Sequence, residues 1–327
     1  MFELIRPGTQ IDFAGKRHIF VSLSIVMMVG SLALLATRGL NYGIDFTGGA
    51  EVQIKAPQGW DIGKVRSEME KGEVKGLKVV QIGDPGAAEF LIKAQGGESE
   101  LNQVSARVES VLKVAAGEGQ YEIQRADVVG PAAGSSLRTS GFLSMFYALI
   151  CILIYVAVRF DVRYAPGAVL ALFHDTVIVI GIFVLTQKQF DLLTLAALLA
   201  LIGYSNNDTI IVFDRVREVL HAHPKLTIEQ AVNKASNETL GRTILTSLTT
   251  FFSAGALWAF GGPVIHDFAF TFAVGIIIGS YSSIFVASAF VIYFTQYRER
   301  REQRMRLSGK SSKKKKIMVR PEPKFES

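Results

Sequence analysis

The sequence predicts a membrane α-helical bundle of six transmembrane helices, with one small α+β domain outside the membrane between helices 1 and 2. Three observations predict it. Six apolar runs are long enough to cross a hydrocarbon core of about 30 Å at ~1.5 Å rise per residue. The stretch 39–138 between the first two runs is regularly charged and holds no run of spanning length. Arg and Lys gather at the N-terminus, at Arg159 and Arg163, from Arg215 to Arg242, and in the tail, whereas the alternate loops carry little positive charge. By the positive-inside rule both termini lie in the cytoplasm and the 39–138 domain lies on the opposite side, in the periplasm.

The elements follow in order. Residues 1–18 are polar and end in Lys16, Arg17 and His18. The run 19–38 is too long for a signal peptide and lacks a small-x-small cleavage site, so it reads as an uncleaved anchor. In the 39–138 domain, Glu51–Lys55 alternates as a strand. Asp61–Glu70 has the spacing of a helix, and Leu77–Ile82 and Glu89–Lys93 read as strands around the turn residues Gly83, Asp84, Pro85 and Gly86. Ser99 to Val114 reads as an amphipathic helix N-capped by Ser99, and Tyr121–Val129 as a last strand. The order β-α-β-β-α-β is that of a ferredoxin-like domain. Gly130, Pro131 and Gly134 form a hinge before the next span.

The later spans are expected at 139–160, 164–186, 191–214, 243–261 and 267–296. An amphipathic helix at 221–242, started by a Thr227/Gln230 capping box, is expected to lie on the cytoplasmic interface. Gly275-x-x-x-Gly279 and the serines 280, 282 and 283 favour close helix packing in the last span. The basic tail 297–327, with its run Lys313 to Lys316, reads as disordered and solvated, or in contact with anionic lipid or a ribosome or translocon surface. The single cysteine, Cys151, excludes an intrachain disulfide and reads as a packing residue.

The chain has no metal-ligand spacing, no phosphate loop and no nucleophile elbow, which argues against hydrolytic or nucleotide-driven chemistry. What stands out is Asp208, an acid with apolar residues on both sides in the fourth span. Such a group costs roughly 2.5–3.5 kcal/mol on insertion scales and marks function by default. Arg242, at the inner end of the next span, is a partner for it, and a paired, desolvated carboxyl is suited to carrying protons. Asp175, beside His174 in the third span, is either a proton relay or a helix–helix hydrogen-bonding group. Asn206, Asn207, Thr209 and Thr246 are candidates for a polar path, each singly more often a packing residue. Asp214, Arg215, Arg217 and Glu218 read as surface ion pairs.

Four ordered motifs carry a resemblance: Gly43-Ile-Asp-Phe-Thr-Gly-Gly49, Val129-Gly-Pro-x-x-Gly134, Gly203-Tyr-Ser-x-Asn-Asp-Thr-Ile210 with Phe213-Asp-Arg-x-Arg-Glu218, and Thr239-Leu-x-Arg-Thr-Ile-x-Thr-Ser-Leu-Thr-Thr250. Over about residues 10 to 297 the chain resembles the SecF side of the SecD/SecF family of bacterial translocase subunits, transporters of the resistance-nodulation-division type. The resemblance implies a complex with SecD in the bacterial inner membrane that works with SecYEG, and with YidC or YajC. It implies use of the proton-motive force to draw unfolded polypeptide outward after the ATP-driven step, with protons as coupling ion, Na⁺ left open, and no cofactor or nucleic acid. The family's proton-path acid falls on Asp208, its arginine on Arg242, and a further acidic position on Asp175. Asp45, Phe46, Gly48 and Gly49 fall on its motif at the start of the external domain. The family is usually apolar where Asn206 stands, and the tail beyond about Glu299 matches no family feature. Two other readings stand beside this one: a half-transporter for a lipid or small molecule, and a non-transport scaffold of the channel complex.

Overall fold

A computed structural model describes residues 9–72, 77–82, 85–94, 98–159 and 164–307. Six helices in it are long and apolar enough to cross a membrane. They are α1 (Arg17–Arg38), α5 (Pro131–Arg159), α6 (Ala165–Thr186), α7 (Leu192–Ala222), α8 (Ile228–Phe260) and a last, long helix. The last comprises α9 (Pro263–Ser282), a π-helical turn at Ser283–Ala287 and α10 (Ser288–Leu307).

Between α1 and α5 come the short helix α2 (Ile44–Thr47), β1 (Gly49–Lys55), α3 (Ile62–Lys71), β2 (Lys78–Ile82), β3 (Glu89–Ala94), α4 (Glu98–Ala116) and β4 (Glu122–Val129). The strands form a four-stranded antiparallel sheet in the order β2-β3-β1-β4. Strand alternation sends Val52, Ile54, Phe90 and Ile92 to one face, where Val65 and Met69 of α3 and Val108 and Leu112 of α4 close a core of their own. Asp61 caps α3 by accepting from Lys64 N at 2.7 Å. Leu77 lies one residue outside β2, and the turn positions 83 and 84 and the residues Asp161, Arg163 and 308–327 fall outside the described residues. The helix α4 begins at Glu98, so Ser99, expected to precede it, stands in its first turn.

The membrane bundle is built around α6. Its small residues Gly167, Ala168, Ala171 and Gly181 let neighbours approach closely, and a side chain at Gly181 would lie 2.2 Å from Ser31 Oγ of α1. In α9, a Cβ at Gly275 would meet Leu201 at 2.4 Å, and one at Gly279 would meet Ser205 at 3.0 Å, so the glycine pair packs against α7. By contrast α1 and α5 expose Ile19, Val26, Val29, Phe146 and Ile154. Cys151 of α5 is exposed too, so it is not a core packing residue; an apolar neighbourhood implies burial in water, not in a bilayer.

Three expected boundaries are corrected. The expected interfacial helix at 221–242 is not separate: its first two residues end α7, which runs to Ala222 past the expected 214, and after the Thr227/Gln230 capping box one helix runs unbroken from Ile228 to Phe260, since nothing inside it breaks the backbone ladder. The span expected at 139–160 starts at Pro131, a residue whose missing N–H suits a first helical position. Residues 297–307, expected to be disordered, continue the last helix. The segment before α1 is clasped to the front of α8. Asn233 Oδ1 accepts from Phe13 N at 2.7 Å, Asn237 exchanges hydrogen bonds with Ile11, and Arg17 pairs with Glu229 at 2.6 Å.

Candidate functional site

Two buried carboxylates lie where α6, α7, α8 and the last helix meet. Positions 205, 208 and 209 of α7 fan around that helix and each finds a different neighbour. Asp175 of α6 is 1% exposed and fully engaged. Its Oδ2 accepts from Ser205 Oγ at 2.6 Å and from Ser282 Oγ at 2.8 Å, and its Oδ1 lies 3.0 Å from His174 Nδ1. Thr209 Oγ1 and Ser283 Oγ are 3.0 Å apart, and Ser283 donates to Gly279 O at 2.9 Å. These serines sit at the start of the π-helical turn, a departure from α geometry that loosens the backbone ladder and recurs at functional sites.

Asp208 is also 1% exposed but only weakly engaged. Its Oδ2 accepts from Ser247 Oγ of α8 at 3.4 Å, and Ser247 Oγ in turn accepts from Ser280 Oγ at 2.7 Å. Its Oδ1 accepts no hydrogen bond from the described residues. The ion pair with Arg242 is not formed: Arg242 is exposed, on a different face of α8 from Ser247, and its charge reaches Asp208 only through space. The five-residue spacing between 242 and 247 turns the two side chains about 140° apart.

The other path candidates divide. Thr209 belongs to the buried cluster. Asn206 is buried with Oδ1 unpartnered among the described residues, but two residues from Asp208 puts it about 200° around the helix, on another flank. Asn207 is exposed, and Thr246 Oγ1 donates to Arg242 O on its own helix at 3.0 Å, so neither joins the cluster. Ser205, Ser280 and Ser282 were not singled out from the sequence as carboxylate partners. A hydroxyl in a span reads as packing until its facing helix is known. Arg215 pairs with Glu218 and Glu238 at the surface, as expected of that group.

The motif at Gly43–Gly49 forms a second site. Asp45 Oδ2 accepts from Leu192 N at 3.0 Å, beside the local cap in which Asp191 Oδ1 accepts from Thr194 N at 2.7 Å. The Phe46 ring stacks on Phe190 at 5.8 Å. Gly48 has φ +75°, and a Cβ there would lie 2.6 Å from Pro131 Cα; one at Gly134 would lie 2.7 Å from Gly48 N. Of the three expected hinge residues only Gly130 is non-helical, and Gly134 is buried against the motif.

Comparison with known proteins then decides the kinship. Residues 108–297 match the family model for protein export membrane protein SecD/SecF, C-terminal, and residues 33–56 match the SecD/SecF GG motif. The chain belongs to the SecD/SecF family. It is 44% identical to the protein translocase subunit SecF of Calditerrivibrio nitroreducens, over 91% of this chain and 98% of that one. It is 38% identical to the SecF of Pseudomonas aeruginosa, over 88% and 92% of the two chains. Among solved structures it superposes on SecDF, a translocon-associated membrane protein from Thermus thermophilus, with TM-score 0.78 and 33% identity over 88% of this chain. It superposes on SecDF in a super-membrane-facing form with TM-score 0.68 and 35% identity over 93% of this chain. The chain spans 39% and 41% of those two longer chains. The GG motif of the family is the segment that packs here against the first turns of α5 and α7.

Proposed function

We propose that this chain is the SecF subunit of a SecD–SecF complex in the bacterial inner membrane. The complex assists Sec-dependent export of unfolded polypeptide, drawing on the proton-motive force after the ATP-driven step. Family membership supports the export role, and six membrane-length helices support a multi-pass protein with both termini cytoplasmic. SecD is the first partner, and SecYEG with YidC or YajC the wider assembly. The external domain is read as ferredoxin-like, supported by its sheet order and by both helices packing on one face.

The observation that carries the coupling is Asp208: a carboxyl 1% exposed inside a membrane-length helix, with one oxygen unpartnered among the described residues. Bound to a proton, the carboxyl loses the charge that burial penalises. Released, the carboxylate is held only by Ser247 and by the distant charge of Arg242. A proton crossing the membrane releases about 2.3 kcal/mol per 100 mV. Asp175, already held by two hydroxyl donors and in contact with His174, is the fixed acid of the pair, and through Ser282 it anchors the π-helical turn. Arg242, Thr246, Thr249 and Ser253 form a polar stripe on α8 that bonds only to its own helix where partners are known, and a covering helix of SecD suits it better than lipid.

Asp208→Asn keeps the shape and removes the titration. Export dependent on the proton-motive force is expected to vanish while SecD still co-purifies; unchanged export overturns the proposal. The same assay in buffers with and without Na⁺ separates H⁺ from Na⁺ as coupling ion.

A further inference from the structure

Asp45 makes a contact its sequence neighbours do not explain. It reaches 147 positions along the chain to the outer end of α7 and accepts from Leu192 N at 3.0 Å. The first N–H groups of a helix have no partner within it. At α7 the adjoining residue already supplies a cap, Asp191 to Thr194 N at 2.7 Å. Asp45 therefore satisfies a second N–H, and from a different part of the fold.

Both sides of this contact are fixed. Gly43 N donates to Phe190 O at 2.7 Å and Phe190 N donates to Asn41 O at 2.8 Å, so the main chain before Asp45 is laced to the residues before Leu192. After Asp45, Phe46 fills the space between Phe190, Leu195 and Met145. Gly48 and Gly134 then press backbone on backbone, which only residues without Cβ allow. The next residue, Gly49, opens β1, which lies between β3 and β4 in the sheet.

We infer that Asp45 is a positioning residue: through it the external sheet holds the outer end of α7, the helix that carries Asp208. This rests on the reading of Asp208 given above. Asp208 lies 16 residues below Leu192, about 24 Å along a continuous helix. A shift or tilt of α7 at Asp208 is carried as a rigid rod to Leu192 and, through the Asp45 carboxylate, to β1. The junction between membrane and external domain acts as a fastening rather than as a loose hinge.

The test compares Asp45→Ala with Leu192→Pro and Asp191→Asn in cells whose only copy of this chain is the variant. Leu192→Pro removes the donor N–H at a first helical position, where proline is well tolerated; the preceding residue is already extended, as proline demands. The readouts are export of a pulse-labelled secreted precursor, proton uptake by membrane vesicles, and recovery of SecD with the chain. Asp45→Ala, which removes the acceptor, and Leu192→Pro are expected to lose proton-driven export while keeping proton uptake and SecD recovery. Asp191→Asn, which weakens only the local cap, is expected to export as wild type. Wild-type export from Leu192→Pro, or equal loss from all three variants, overturns the inference. If Asp45→Ala fails to accumulate, Leu192→Pro alone decides it. Asp208→Asn run in parallel keeps the two readings apart: its failure to affect export sinks proton coupling, whereas the fastening is judged on the other three.

Discussion

Asp175 and Asp208 are both buried acids, yet their surroundings differ. Asp175 accepts from Ser205 and Ser282 and contacts His174, whereas Asp208 has Ser247 at 3.4 Å. Asp175→Leu removes the acceptor of two buried hydroxyls and the polar neighbour of His174 at once and is expected to destabilise by about 3 kcal/mol or more, seen as a fall in Tm in detergent. Asp208→Leu removes an under-bonded carboxyl and is expected to leave Tm unchanged or raise it, while abolishing proton-driven export. A fall in Tm as large as that of Asp175→Leu counts against this contrast. The acids themselves were plain in the sequence, because charge inside a spanning run needs no structure to notice. Their partners were not. Sequence order offered Arg242 to Asp208 by depth alone, and the angle around α8 turned it away.

Among the helices, packing is decided by residues without side chains. Gly181→Leu is expected to force α1 from α6, since even a Cβ would lie 2.2 Å from Ser31 Oγ, and to destabilise by ~1–3 kcal/mol or more. Gly203→Ala meets nothing within 4 Å and is expected to be neutral or slightly stabilising. Thermal unfolding of the two variants checks the pair; equal effects contradict the packing. Spans and strands were readable from periodicity, because α and β repeats differ in sequence. Helix ends were less so. Nothing in Arg242 to Leu245 shows that a surface helix continues straight into a span, and the arginines from 298 to 306 suit both a solvated helix and a loose tail. The short helix α2 escaped notice because four residues between glycines carry no period.

At the scale of the molecule, a polar stripe facing outward from a spanning helix implies a larger assembly. A cysteine at Thr249 or Ser253 is expected to react with a membrane-permeable maleimide when the chain is alone, and to be protected when SecD is bound. Equal labelling in both states places the covering partner elsewhere. The external sheet and the bundle meet at Asp45 to Gly49, at Pro131 and Gly134, and at Phe190 to Leu192, three places far apart in sequence. The motifs pointed to each of the first two. That they touch one another and the start of α7 could only be seen in the fold.

The clasp between the N-terminal segment and α8 carries a consequence for biosynthesis. Phe13 and Ile11 bond to Asn233 and Asn237, 220 and 226 positions later. At ~5–20 residues per second, the early segment waits on the order of 10–45 s for its acceptor to be made. During that interval Ile11 and Phe13 are without their final partners, while α1 is already in the lipid. Closure of the clasp requires the front half of α8 to lie on the same side of the membrane as the segment before α1, so a chain threaded the wrong way leaves its own beginning unfastened.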